Sequence, residues 1–214
     1  MPIMVNEIFY SIQGESIMSG LPYVFVRLSG CNLQCRYCDT RHAWDEGTPW
    51  EIAQILTHIA RYQCLRVLVT GGEPLLQEQT LELIRRLLAK DYDVSLETNG
   101  SKDISRVAVR CQRIMDFKCP SSGMQAHNRM TNLSHLMPWD QVKFVIADRE
   151  DFDFACGLLP TVSQRLGPGQ ILFSPAHPAL PATQLANWML DAHVEARLQI
   201  QLHKYLWPNQ ERGV

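Results

Sequence analysis

No apolar run in this sequence reaches the roughly 18 residues that a membrane-spanning helix requires. Residues 1–10 carry Asn6 and Glu7 and lack the basic-then-apolar layout of a secretory leader. An excess of one charge is missing too. Lys and Arg number 20 against 22 Asp and Glu, a formal net of −2, so nothing global recruits nucleic acid or an anionic membrane. There is no internal repeat, no low-complexity tract and no long linker. The expectation is a soluble, cytoplasmic protein with one domain over residues 1–214 and neither nucleic acid nor membrane as a partner. A paired set of cysteines is also lacking. Seven is an odd number, and a disulfide framework suits short secreted chains, not one of 214 residues without a leader.

What is present is a hydrophobic fraction of 46%, enough for a substantial core, laid out as alternating strands and helices. Strands are expected at 23–28, 66–69, 94–97, 113–117, 141–146, 170–173 and 197–202. Helices are expected at 48–62, 79–90, 149–159 and 181–192. For the first helix, Thr48 and Glu51 have capping-box spacing, Pro49 sits at the first helical position, and Ile52, Ile55, Leu56 and Ile59 make one apolar face. The second turns Leu81, Ile84, Leu87 and Leu88 inward. Residues 120–138 read as a loop. Such alternation predicts a mainly parallel α/β sheet. The chemistry-bearing residues fall at strand ends: Arg27 and Cys31, TGGEP at 70–74, Glu97, Lys118, Lys143, Ser174 with Pro175, and His203. One edge of a (β/α) barrel carries chemistry in this way. About six strands predict an incomplete barrel, with a doubly wound sheet as the alternative.

Three cysteines, Cys31, Cys35 and Cys38, fall within GCNLQCRYCDT at 30–40. Their spacing suits a loop wrapped around a metal cluster. A four-iron cluster needs four ligands, so three thiolates leave one iron open. A structural zinc site with His42 as fourth ligand is the competing reading. Cys64, Cys111 and Cys156 border apolar segments and read as buried thiols, whereas Cys119 stays open.

The cysteine loop, followed one βα unit later by TGGEP, resembles the radical S-adenosylmethionine (SAM) superfamily. The resemblance implies a [4Fe-4S] cluster on the three cysteines, with SAM chelating the open iron and Gly72 letting backbone approach its amino group. Tyr37, Cys38 and Asp39 match a SAM-contacting stretch. A deoxyadenosyl radical would then take hydrogen from substrate.

SIQGE at 11–15, FVRL at 25–28, LETNG at 96–100, DFKCPSSG at 116–123 and LHKYL at 202–206 narrow the match to the 7-carboxy-7-deazaguanine synthase family. That family implies a lyase of queuosine biosynthesis, a tRNA modification pathway. It rearranges 6-carboxy-5,6,7,8-tetrahydropterin with loss of ammonia, requires Mg2+, forms homodimers, and takes electrons from a donor such as a flavodoxin or ferredoxin. It also implies site residues. Ile12, Gln13, Gly14, Glu15, Arg27, Thr70, Glu97 and His203 would meet substrate, and Thr40 would ligate magnesium. Asp116, Phe117, Lys118 and the stretch Ser174, Pro175, Ala176 and His177 would meet SAM.

A pterin edge needs donors and acceptors, which Gln13 and Glu97 supply, and its carboxylate needs a cation, which Arg27 supplies through paired bonds. Against these stand plainer readings: a salt bridge for Arg27, a strand-end ion pair for Glu97, a solvated Lys118, a satisfied strand-end His203. A glycyl-radical activase and a non-catalytic zinc module are the rival functions. The family commonly ends soon after the HKYL motif. Here residues 209–214 continue, polar in composition, and a mobile, dispensable tail is expected. His203, Tyr205 and Trp207 are expected to continue the last strand's alternation.

Overall fold

Alternation along the strands decides which side chains meet inside this molecule. The computed structural model describes residues 1–214. Its strands, in chain order, are β1 (Ile3–Ile12), β2 (Pro22–Leu28), β3 (Thr48–Trp50), β4 (Arg66–Gly71) and β5 (Asp93–Thr98). They continue with β6 (Gln112–Phe117), β7 (Gln141–Ile146), β8 (Ile171–Pro175) and β9 (Arg197–Leu198). All lie in one sheet, in the order β3-β1-β2-β4-β5-β6-β7-β8-β9. From β2 to β9 each neighbouring pair is parallel, and β1 and β3 add an antiparallel edge. The parallel strands follow one another without the reversal of order that a doubly wound sheet shows. Because the edge strands β3 and β9 do not pair, the barrel is incomplete.

Helices α1 (Ile52–Ala60), α2 (Gln79–Leu88), α3 (Arg149–Val162) and α4 (Ala182–Asp191) pack outside the sheet; α5 (Leu202–Leu206) follows β9. A side-chain period of two sends Val24, Val26, Leu28, Val67, Val69, Val142 and Phe144 outward into the main apolar core. Alternate residues point inward. Low on this face Phe9, Tyr23, Phe25, Leu68 and Ile114 form a small apolar floor, with Phe9 and Phe25 stacked at 4.8 Å. Higher up, towards the C-terminal strand ends, the same parity brings in Arg27, Thr70, Glu97, Asp116 and Lys143.

Several expectations need correction. The helix expected from Thr48 starts at Ile52, and Thr48–Trp50 instead pairs with β1 as an edge strand, where Pro49 lacks no ladder donor that matters. The N-terminal helix stop is Glu51, whose N–H donates to Gln54 Oε1 at 2.8 Å. Ile3–Ile12, unassigned from sequence, forms the longest strand. Helix α3 runs through Pro160 to Val162, which seats in the core. The last strand is two residues long, and His203 lies on α5, so His203, Tyr205 and Trp207 do not share a strand face. Residues 120–138 hold three short 3-10 turns. Cys119 is fully buried in the main core with Cys111, while Cys64 is buried and Cys156 half-buried.

Candidate active site

A cavity of about 540 Å³ opens at the C-terminal ends of the parallel strands, within the size range of small-molecule sites. Its wall includes every residue that the sequence singled out for the site except Phe117. Parity explains that exception. Asp116 and Lys118 face inward on and after β6, so Phe117 between them faces outward, 2% exposed, against Phe144. Only its backbone remains available to a ligand.

The cysteine loop is anchored from several sides. Gly30, at φ +96°, donates to Ala43 O at 2.8 Å, and its own carbonyl accepts from Glu73 N at 2.8 Å. Arg36 N donates to Ser122 O at 3.1 Å, and Asn32 Nδ2 to Ser101 Oγ at 2.9 Å. The two glycines after β4 serve this packing. A Cβ on Gly71 would overlap Leu28, and one on Gly72 would overlap the Gly30 carbonyl and crowd Cys31. Glu73 is fully buried and ties the next loop in, accepting from Asn99 N at 2.7 Å, Thr98 Oγ1 at 2.9 Å and Leu75 N at 2.9 Å. The sequence reading gave that glutamate no role of its own.

Cys31, Cys35 and Cys38 all line the cavity, and none is in a disulfide. Burial pushes the Cys31 and Cys35 thiols up, so a metal centre binding there must displace their protons. His42 does not join them. Its Nε2 faces Glu7 Oε1 at 3.8 Å. No three His, Cys, Asp or Glu side chains converge tightly enough for one metal ion. A zinc site demands such convergence. A four-iron cluster spreads its thiolates over separate irons, and the three-thiol loop fits that donor set. Beside the loop, Asp116 Oδ1 is buried with no partner, an acceptor available to the ammonium of an amino-acid-bearing cofactor.

Charges line the rest of the cavity. Lys143 Nζ lies 2.7 Å from Glu15 Oε2, 2.6 Å from Glu97 Oε1 and 3.9 Å from Asp116 Oδ2. Thr70 Oγ1 donates to Glu97 Oε2 at 3.0 Å. Lys118 is not solvated: its Nζ pairs with Asp116 Oδ2 at 2.9 Å. Burial works against its charge, yet Asp116 holds it above the ordinary lysine range. Arg27 donates from Nε to Glu7 Oε1 at 2.7 Å and lies over the Phe9 ring at 5.6 Å. That is its side chain's only hydrogen bond within the chain, so the salt bridge and a ligand-facing guanidinium edge coexist.

The walls are completed by the chain's last segment. Leu202 N donates to Gly14 O at 2.9 Å, and a Cβ on Gly14 would overlap the His203 imidazole. Burial holds His203 below the usual histidine range, hence neutral near pH 7. Gln201, which the sequence did not flag, donates to Glu15 Oε1 at 2.7 Å and reaches Asp39 Oδ2 at 3.4 Å. The tail expected to be mobile lies back against the chain, with residues 209–212 exposed. Gln210, Glu211 and Val214 line the cavity, Arg212 pairs with Glu46 at 2.7 Å, and Gly213 N donates to Glu7 Oε2 at 3.1 Å.

Residues 25–114 match the model of the Radical SAM superfamily. The 7-carboxy-7-deazaguanine synthase of Chlorobaculum tepidum is 41% identical over 216 residues, which cover 100% of this chain and 98% of that one. The enzyme of the same name from Koribacter versatilis is 35% identical, with 99% and 100% covered. Among solved structures, QueE from Escherichia coli superposes with a TM-score of 0.78 at 24% identity, covering 95% of each chain. Streptococcus suis SuiB, solved with S-adenosylmethionine, gives 0.56 at 12% identity, covering 83% of this chain and 45% of its own. These two structural likenesses concern the fold.

Proposed function

This chain belongs to the 7-carboxy-7-deazaguanine synthase family of radical SAM enzymes, and we propose on that premise that its cavity rearranges 6-carboxy-5,6,7,8-tetrahydropterin to 7-carboxy-7-deazaguanine with loss of ammonia, a step towards queuosine. A [4Fe-4S] cluster and SAM are its cofactors. Together they supply one-electron cleavage of a carbon–sulfur bond and, from it, a carbon-centred radical able to take a hydrogen atom from the substrate. The observation that carries the reading is the meeting of three loop thiols with Arg27 and Glu97 in one enclosed cavity. A glycyl-radical activase has to admit a loop of a partner protein and has no use for this polar wall.

The chain's own residues bind, orient and exclude water. Cys31, Cys35 and Cys38 hold the cluster. Tyr37, Cys38, Asp39, Gly72, Asp116, Lys118, the Phe117 backbone and residues 174–177 hold SAM. Arg27 takes the pterin carboxylate through its free Nη groups. Gln13, with the backbone of Ile12 and Gly14, and Glu15, Thr70, Glu97 and His203 meet the ring edge. Residues 210–214 roof the substrate side. The family reading also carries a homodimer, an external donor such as a flavodoxin or ferredoxin, and a cytoplasmic setting. No helix is long and apolar enough to cross a membrane.

An anaerobic assay with SAM, reductant and the carboxytetrahydropterin tests the reading: deazaguanine product is expected, and its absence from an iron-replete enzyme overturns it.

Thr40 is the magnesium ligand in this proposal. Its hydroxyl lines the cavity, and its nearest side-chain partner is Cys38 Sγ at 3.8 Å, so no nitrogen or oxygen of the chain competes for it. Magnesium keeps several waters and takes few protein oxygens, so one hydroxyl suffices as an anchor. Thr40→Ala should raise the magnesium concentration needed for half-maximal rate and weaken substrate binding while leaving SAM binding intact. A magnesium titration at fixed SAM reads this, and an unchanged curve with unchanged substrate affinity removes Thr40 from the metal.

Deleting residues 209–214 takes away Arg212–Glu46, the Gly213 donor to Glu7 and part of the roof. The expected result is a substrate KM raised about fivefold, equivalent to ~1 kcal/mol of lost contacts. An unchanged KM would return the segment to the dispensable role its composition suggests.

A further inference from the structure

Lys143 holds the densest set of ion pairs in the cavity, yet it touches neither Arg27 nor the cysteine loop. It lies within β7, 5% exposed, on the inward parity between Val142 and Phe144. The carboxylates around it come from separate elements: Glu15 follows β1, Glu97 lies on β5 and Asp116 on β6. Asp116 has its own cation in Lys118, at 2.9 Å. Glu15 and Glu97 have no other cation at hydrogen-bond distance. Both lean on the same ammonium, at 2.7 and 2.6 Å. The remaining partners are neutral: Gln201 donates to Glu15, and Thr70 donates to Glu97. His203 beside Glu15 is kept uncharged by burial, and Lys204 pairs loosely with Asp39 at 3.8 Å.

Glu15 and Glu97 are part-buried and face one ammonium, so their like charges repel unless a cation stands between them. We infer that Lys143 is a positioning residue: standing between Glu15 and Glu97, it keeps them as a pair of charged acceptors and thereby tunes the cavity for a ring edge rich in N–H donors. This deepens the proposed function and rests on its placement of Glu15 and Glu97 at the substrate. The electrostatics agree. Burial disfavours the charge of Lys143, but Glu15, Glu97 and Asp116 hold it well above the ordinary lysine range. Burial likewise pushes Glu15 up, and Lys143 and Gln201 outweigh it, leaving Glu15 below the usual carboxylate range. Glu15 is therefore charged at neutral pH and loses that state only as pH falls through its lowered value.

The test uses the cluster-loaded full-length enzyme and its Lys143→Met and Lys143→Arg variants. In Lys143→Met Glu15 loses the cation that holds it charged, so the acid limb of kcat/KM should move up by about one pH unit or more. The substrate KM at pH 6.5 should rise about tenfold, while iron content and SAM binding stay at wild-type levels. Lys143→Arg, which restores the cation, should bring the acid limb most of the way back. An acid limb unmoved in Lys143→Met overturns the inference. If Lys143→Met does not fold, infrared titration of the wild-type holoenzyme against Glu15→Gln decides. A carboxylic-acid band from Glu15 present at pH 7 overturns the inference, and its absence at that pH supports it. Failure of the parent reading looks different: the wild type would then make no deazaguanine, although the infrared titration would still report on Lys143.

Discussion

Replacing Cys35 by alanine should leave a folded chain that binds too little iron to colour and turns over no substrate. Cys35 is 8% exposed and faces the cavity with Cys31 and Cys38 from one short loop. Three thiolates already leave one iron of a four-iron cluster without a protein ligand. A second vacancy leaves the cluster held at two corners, and two candidate replacements are engaged elsewhere: Cys119 is in the outer core and His42 faces Glu7. Cys31→Ala and Cys38→Ala should behave alike. Changes at Cys64, Cys111 or Cys156 should cost packing but no iron. Iron and sulfide analysis after anaerobic reconstitution, with the charge-transfer absorption, reads the result. A Cys35→Ala enzyme with full iron and activity would refute the assignment.

Arg27→Lys should lower kcat/KM about a hundredfold although charge is conserved, the scale expected when a bound substrate is misplaced by about an ångström. The guanidinium does two jobs at once. Its Nε secures it to Glu7, across the β1–β2 pairing that sets Glu7 opposite Arg27, while both Nη groups remain for a ligand. A lysine ammonium on a flexible stem offers no such division between a fixed side and a working side. It will either stay with Glu7 and surrender the substrate carboxylate, or the reverse. Steady-state kinetics with the carboxytetrahydropterin measure the effect. Near-normal values would show that Arg27 serves the β1–β2 edge alone.

Much of this site could be read before the fold was seen, because the cysteine loop and the strand-end residues are unusual residue types at fixed places. Lys143 was visible as a charge on an apolar strand, and counting parity along β7 would have sent it inward beside Glu97. The same counting along β6 would have turned Phe117 outward. Other parts were hidden for physical reasons. β1 escapes its period of two because the pairing shifts between Val5 and Glu7. Such a bulge re-aims side chains and blurs alternation. In 48–50, a proline suits an edge strand as well as a helix start. The run from Gln199 to Trp207 alternates like a strand but folds largely as a helix, an ambiguity inherent in short apolar runs. The polar tail meets Glu7 and Glu46, partners 206 and 166 residues away in sequence, which no local composition reveals.

The stitching of Gly14 to Leu202 has a consequence in time. The cysteine loop leaves the ribosome early, but the wall bearing Gln201 and His203 follows about 165 residues later. At 5–20 residues per second, that interval is about ten to thirty seconds. During it strands β4 to β8, which carry Thr70, Glu97, Asp116 and Lys143, are made. Residues 201–214 come last and add Gln201, His203, Gln210, Glu211 and Val214 to the cavity's lining. The order of synthesis thus completes the wall bearing Gln201 and His203 only after the cysteine loop and the parallel strands behind it have been made.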